Sequence, residues 1–416
     1  MDHGGALSDA TAPGVDRLRV LVVTSSRQVW GAERSVMATA GPLAELGIDL
    51  SLGSPPGGDL EAAWRGLGLT HVPLDLPPHA GIRAAVGDGL AGEEDGGRPP
   101  PGAIARELLT TARSARLVAR AARHADVVQS EALWGHLDCA LGGRLAHRPV
   151  VIELQDLVRP GLGRRLLSAA ARLSAATVAI STAVAGVIGN GNVPGVRVVL
   201  DAVDLDEFSP GPADPSIRRM LSDEPDELLV GILGRVDPMK GVDVLVRAMA
   251  LLGGPAAKAR LVVVGSPGLD PGGYEREVRA EADRLLGVRA RFVGRMDDVR
   301  GVLRSLDVLV NASAAEPFGL TVLEAQASGV PVVAPRSGGI PDFVEDDDNG
   351  LLVPPGDAAA LAEALERLLG NADLRARLGR RGRQTAVAEH GLAHRAAVLA
   401  GIYRAAARRE PVPCVP

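Results

Sequence analysis

The feature that most constrains this chain is an alternation it goes through twice. Continuous apolar runs such as LRVLVV at 18–23 and LLVGIL at 228–233 are separated by longer amphipathic stretches. A run apolar at every position marks a parallel strand buried on both faces, and the intervening stretches are the crossover helices. The first series predicts strands at 18–23, 48–53, 126–129, 149–153, 177–180 and 196–199. Its helices are expected from the loop TSSRQVWGAERS to about Leu46, at 103–123, at 164–173 and at 182–188. Residues 201–226, DAVDLDEFSPGPADPSIRRMLSDEPD, interrupt the pattern with prolines and acids and read as a linker. The second series predicts strands at 228–233, 260–264, 289–293, 308–311 and 330–334. Its helices are expected at 242–252, 274–286, 299–305, 319–328, 358–369 and 372–389. The fold class is therefore α/β, with two doubly wound parallel-sheet domains. The expected divisions are a disordered start at 1–16, a first domain at 17–205, a linker at 206–226, a second domain at 227–390 and a terminal segment at 391–416. The last helix, about 394–409, has no strand after it and is expected to pack back across the first domain.

A chain of 416 residues is too long for one ordinary core, and with 46% apolar residues it can fill two. The net charge of −6, with arginines spread among acids, gives no support to a nucleic-acid partner. Cys139 and Cys414 have neither metal-ligand nor disulfide-framework spacing, and the histidines show no metal spacing. No apolar run is long enough to span a bilayer, and the start MDHGGALSDATAPGVDR lacks an apolar signal core. A soluble cytoplasmic protein is expected. Residues 86–102 read as a loop. The arginines of the helices at 103–123 and 164–173 fit either a solvated face or contact with a membrane surface.

The chemistry concentrates in residues 311–341, NASAAEPFGLTVLEAQASGVPVVAPRSGGIP. A helix beginning near Gly319 leaves free N–H groups at Gly319, Leu320 and Thr321, where a phosphate can dock. Gly319 has no Cβ, which lets a ligand approach the backbone. Glu324, just over a turn into that helix, can reach a hydroxyl beside the phosphate, and Glu316 stands before it. A ligand with both phosphate and hydroxyl groups, such as a nucleotide sugar, fits. In LLVGILGRVDPMKGVDVLVRA, Arg235 and Lys240 follow a strand end, at the carboxyl edge where open α/β sheets bind ligands. An arginine fork with a lysine point charge suits a diphosphate. Gly31 sits where a helix start can approach a ligand, or where tight packing alone demands glycine. Trp134, in SEALWGH, can line an acceptor cleft or a core. Asp346, Asp347 and Asp348 read as a hydrated loop rather than a metal site. GLGRRL at 161–166 lacks the third glycine of a dinucleotide fingerprint, which argues against a dehydrogenase.

The strings EPFGLTVLEAQASGVPVVA and GRVDPMKG resemble the retaining glycosyltransferases of the GT-B fold, in particular glycosyltransferase family 4. WGAERSV at 30–36 is similar to that family's GGAER-type first loop, and DAVDLDEFSP at 201–210 to its NGVDLxxFxP segment. SGGIPD at 337–342 and NGLLVPPGD at 349–357 are similar to its later turns. The resemblance implies two Rossmann-like domains facing across a cleft, with a nucleoside diphosphate sugar of UDP or GDP type as donor substrate. It implies no bound metal and no other cofactor. Arg235 and Lys240 would bind the diphosphate, Glu324 the ribose, and Glu316 sugar hydroxyls near the reacting carbon. Phe318, Gly319, Leu320 and Thr321 would shape the sugar and phosphate pocket, and Gly31 would face the phosphate from the first domain. The acceptor, a small molecule, a lipid or a polysaccharide, would lie against the first domain. One departure stands out. The family often has a histidine before an aspartate at the end of a first-domain strand, where this chain has Gln155 and Asp156 in VIELQD. Glutamine does not titrate, so either Glu153 and Asp156 compensate or the feature is not needed in this chain. That departure keeps open a non-catalytic sugar-nucleotide binder or partner subunit, and the shared fold keeps open a sugar-nucleotide epimerase.

Overall fold

The computed structural model describes residues 17–79, 102–131, 133–188, 195–267 and 273–411, apart from the side chain of Trp134. The expected start at 1–16 and all but the last residue of the loop at 86–102 lie outside the described residues.

Two parallel sheets form. The first has seven strands: β1 (Leu18–Val23), β2 (Ile48–Ser54), β3 (Thr70–Pro73), β4 (Val127–Ser130), β5 (Val150–Leu154), β6 (Ala176–Ala179) and β7 (Val196–Val198), in the order 3-2-1-4-5-6-7. The second has six: β8 (Leu229–Leu233), β9 (Arg260–Val264), β10 (Ala290–Gly294), β11 (Val308–Val310), β12 (Val332–Pro335) and β13 (Leu351–Val353), in the order 10-9-8-11-12-13. Both are doubly wound from a central strand, β1 or β8, and each reverses direction beside it. Open α/β sheets bind ligands in the crevice at that reversal.

Continuous apolar runs serve both faces of each sheet. Val20 and Val22 pack into a core shared with the helices Gly31–Glu45 and Leu392–Arg408. Leu21 and Val23 pack on the opposite face, beneath the helices Ala103–Ala121, His136–Leu145 and Leu162–Leu173. The second sheet divides likewise, with Val230 and Ile232 on one side and Leu229 and Leu233 on the other. The core containing Leu21 continues through Ile180, Phe208, Ile340 and Phe343 into the second domain, so the two domains share apolar packing where they meet.

The terminal helix Leu392–Arg408 returns to the first domain as expected. Tyr403 Oη donates to Gln129 Oε1, and Arg395 donates to the carbonyls of Val199 (2.9 Å) and Leu200 (2.8 Å). The stretch read as linker contains a helix, Pro215–Leu221, capped by the Asp214 carboxylate and started by a proline at its first position. It docks on the second domain, where Arg218 donates to Ser305 O at 2.7 Å. Asp346, Asp347 and Asp348 pair with Arg336, Arg367 and Arg381 in turn.

Candidate functional site

Two loops meet at the reversal point of the second sheet. After β8 the chain passes Gly234 (φ 143°), Arg235 and the turn Pro238–Lys240, reaching Gly241 at φ 65°. After β11 it runs from Asn311 to Gly319 and enters the helix Leu320–Ala327. The loops lie in contact. Ala314 N donates to Met239 O (3.3 Å), and a Cβ on Gly241 would stand 2.1 Å from Ala312 O.

This contact brings Lys240 to Glu316. Lys240 Nζ donates to Glu316 Oε2 at 2.8 Å, and the same oxygen accepts from Ser313 Oγ (2.8 Å) and Asn311 Nδ2 (3.2 Å). Burial alone would raise the Glu316 carboxyl. The charge and hydrogen bond of Lys240, with those of Asn311 and Ser313, outweigh it and hold the group below the ordinary glutamate value. Glu316 is thus a fixed carboxylate with 8% exposure. Gly338 and Gly339 close over it. Gly339 N donates to Glu316 O (2.9 Å), and at Gly338 (φ 61°) a Cβ would lie 1.9 Å from that oxygen. Arg235 remains partly open, paired with Asp237 at 3.2 Å.

Gly319 holds φ 107° as the residue before the helix, and the first internal bond runs from Val322 N to Gly319 O (2.9 Å). The N–H groups of Leu320 and Thr321 precede that bond and head the helix. The reason expected for Gly319 is corrected here. A Cβ there would meet Ile340 Cδ1 at 2.4 Å, so the space is filled by protein rather than held open for a ligand. Phe318 is 2% exposed and stacks on Phe343 with ring centroids 4.8 Å apart. It therefore shapes the site from behind. Leu320 and Thr321 are half-buried at its edge.

Glu324 has the opposite environment to Glu316. It is 2% exposed, and its Oε1 accepts from Arg34 Nη2 of the first domain at 3.2 Å. Its Oε2 is buried with no hydrogen-bond partner. Burial pushes this carboxyl up to about 7, against the pull of Arg34 and with a small push from Glu207. A buried, unsatisfied carboxylate oxygen is costly unless something else completes it.

The first domain faces this site with the loop after β1. Gly31 heads the helix Gly31–Glu45, and a Cβ there would meet nothing within 4 Å. Packing does not demand this glycine. Trp30 is 44% exposed, and the Arg235 guanidinium lies 5.9 Å from its ring centroid. Ser181 Oγ donates to Pro317 O and Thr182 N to Asp342 Oδ2, each at 2.6 Å. Sequence reasoning singled out Gly31 and passed over Trp30 and Arg34 in the same WGAERSV string. Their signal was their nearness to that glycine, but only the fold shows that they reach Arg235 and Glu324.

Gln155 lies past the end of β5. Its Nε2 donates to Glu131 Oε2 and Glu153 Oε1, both at 3.0 Å. Both amide hydrogens are thereby used, and its Oε1 is left as an acceptor. The compensating role considered for Glu153 is corrected. That residue is 1% exposed and bound by Arg395, Gln129 and Gln155, so it belongs to the core. Burial and the neighbouring Glu153 charge hold the Glu131 carboxyl well above the ordinary value. Asp156 is exposed, and Trp134 falls in the turn Leu133–Gly135. No group of three or more metal-ligating side chains forms among the described residues.

Comparison with known proteins meets this geometry. Residues 214–385 match the family described as Glycosyl transferases group 1. The D-inositol 3-phosphate glycosyltransferase of Saccharomonospora viridis is 39% identical over 199 residues, 46% of this chain and 46% of that protein. The lipopolysaccharide core biosynthesis glycosyltransferase LpsE of Rhizobium meliloti is 38% identical over 174 residues, 41% of this chain and 48% of that protein. The match thus spans about half the length of these curated relatives. Over the whole fold, Anabaena Alr3699/HepE, solved in complex with UDP and glucose, superposes with a TM-score of 0.76 at 21% identity, covering 92% of this chain and 98% of that one. The sucrose-phosphate synthase of Thermosynechococcus elongatus gives 0.72 at 21%, covering 93% and 98%. The match to the group 1 glycosyltransferase family thus lies in the second domain, residues 214–385, and the two-sheet fold of the whole chain is the one these solved structures share.

Proposed function

We propose that the chain is a retaining glycosyltransferase that moves a sugar from a nucleoside diphosphate sugar to an acceptor hydroxyl. The observation that carries this is Glu324, a buried carboxylate with one unpartnered oxygen, set one turn beyond a helix start that follows the Lys240–Glu316 pair. A ribose hydroxyl completes Oε2. The helix-head N–H groups, Arg235 and Lys240 take the diphosphate. That Alr3699/HepE was solved with UDP and with UDP-glucose supports a nucleotide donor of this class.

Breaking the sugar–diphosphate bond leaves negative charge on the departing phosphate and positive charge on the sugar carbon. Arg235, Lys240 and the helix N-terminus are preorganised for the first. Glu316, anchored by three donors on Oε2, keeps Oε1 for sugar hydroxyls beside the second. Departing phosphate on the acceptor's side of the sugar would take the acceptor proton, so that no protein base is required. This accommodates Gln155, whose fixed Oε1 can accept a sugar hydroxyl but cannot titrate. Gly31 offers open backbone to the phosphate from the first domain, and Asp156 and Trp134 remain acceptor-side candidates. No bound metal or further cofactor enters this scheme.

The test begins with melting of the purified protein against nucleoside diphosphates and their sugars, since a ligand of the folded state raises the melting temperature by mass action. One nucleotide should shift it selectively. Lys240→Ala and Glu324→Ala should each then cut transfer at least roughly tenfold, about 1.4 kcal/mol of transition-state stabilisation. Donor binding with neither transfer nor slow hydrolysis would instead make the chain a non-catalytic binder, and wild-type rates in both variants would remove the assignment.

A further inference from the structure

The three helices Ala103–Ala121, His136–Leu145 and Leu162–Leu173 lie side by side over one face of the first sheet. Their outer surface carries charge of one sign. Arg106, Arg113, Arg116, Arg120, Arg144, Arg165 and Arg172 are exposed there. The three helices contain two acids, Glu107 and Asp138, and both are turned inward onto His79, at 3.0 Å and 2.8 Å from its two ring nitrogens. Among the described residues none of Arg106, Arg113, Arg116 and Arg120 enters an ion pair. Among the described residues of these three helices the exposed charges are thus all cationic, in a chain of net charge −6.

Large apolar side chains stand among these arginines. Ile104, Leu108 and Leu109 are 60%, 66% and 72% exposed on the first helix, and Leu145 and Leu162 are exposed on the other two. Leucine and isoleucine projecting from a basic helical surface, with no exposed acid among the described residues of these helices, match the interface of an anionic bilayer. The side chains enter the acyl boundary and the arginines meet the headgroups. No described helix is long and apolar enough to cross a membrane, so the contact is one of lying on the surface. The face also borders the cleft, since Gln155 and Asp156 precede the helix Leu162–Leu173 by a short loop.

We infer that this three-helix face docks the protein onto an anionic phospholipid surface through Ile104, Leu108, Leu109 and the surrounding arginines. The inference is independent of the donor reading, because none of these residues touches the Glu316–Glu324 site. The experiment is co-sedimentation of the full chain with vesicles of phosphatidylcholine alone and of phosphatidylcholine with phosphatidylglycerol. Wild type should pellet with the anionic vesicles and stay in solution with the neutral ones. Arg113→Gln with Arg116→Gln should lower the partition coefficient about fivefold per arginine removed. Leu108→Glu with Leu109→Glu, which keeps every arginine, should weaken it at least as much. Both variants sit on the surface and should keep the wild-type melting temperature and nucleotide-induced shift. Absence of wild type from the anionic pellet would overturn the inference. Binding undiminished by the leucine substitutions would also overturn it, assigning the face to soluble polyanions instead.

Discussion

Two glutamates eight positions apart end up in opposite protonation regimes, and that difference carries chemistry. Glu316 is held below the ordinary value and is a carboxylate throughout the neutral range, whereas Glu324 is raised to about 7. In the proposed role, ribose hydroxyls donating to Glu324 would favour its charged form. The donor KM should therefore fall as pH rises through about 7 and level off above it, with proton release on binding below that pH. Arg34 holds this carboxyl down, so Arg34→Ala should move the inflection upward, and Glu324→Gln should abolish it. KM for the donor measured across pH checks all three, and a flat wild-type profile would dismiss the ribose role. The same raised value makes Glu324 a liability to the fold. Above the ordinary carboxylate range the unfolded chain has lost this proton while the folded one keeps it. Stability therefore declines as pH rises from about 4.5 toward 7. At Gly338, alanine must take φ 61° and meet Glu316 O at 1.9 Å. Gly338→Ala should cost about 1–3 kcal/mol in denaturant unfolding and weaken donor binding by shifting the Glu316 loop.

Elements were legible in proportion to how fully they are buried. Eleven of the thirteen strands among the described residues were expected, because parallel strands covered on both faces are apolar at nearly every position. The two that were missed lie at or near sheet edges. Thr70–Pro73 alternates and ends in proline, and Leu351–Val353 is three residues set among turn formers. The helices Asp59–Gly66 and His136–Leu145 also went unread. In the second, Gly142 and Gly143 look like breakers but serve close packing on Val118 and Val150. Pro215–Leu221 hid inside a stretch whose prolines and acids read as linker, although that proline is a helix starter. The loop proposed to hold the donor was legible as a string. The partner contacts were not, because Arg34 and Glu324 are 290 residues apart and no periodicity links them. The terminal helix shows what such long-range pairing contributes. Arg395 is 2% exposed and meets Glu153 and Asp201 (3.1 Å). Arg395→Ala would leave two buried carboxylates without their cation, a loss of about 3–5 kcal/mol. Urea unfolding should show that loss, and a change below about 1 kcal/mol would mean water or rearrangement satisfies the acids.

At the scale of the whole molecule, the two reversal points face each other and are tied by contacts of two kinds. Trp30 over Arg235 and Arg34 on Glu324 lie within the proposed donor site, so a nucleotide bound as proposed must share or displace them. Ser181 to Pro317 and Thr182 to Asp342 lie outside it and join the end of β6 to the turn behind Phe318. The second kind can hold the cleft shut with the donor in place, which excludes water from a bond prone to hydrolysis. Ser181→Ala with Asp342→Ala removes both side chains and no residue proposed to touch the donor. The nucleotide-induced melting shift should survive this change. Transfer should fall roughly tenfold, as expected for about 1.4 kcal/mol lost from closure, and donor hydrolysis should rise relative to transfer. Small-angle scattering with nucleotide bound should give a larger radius of gyration for the double variant than for wild type. Equal radii with reduced transfer would place the defect in the Pro317–Phe318 loop itself. Equal radii with unchanged transfer would mean that the cross-cleft bonds of Trp30 and Arg34, rearranged around the donor, suffice to close the molecule.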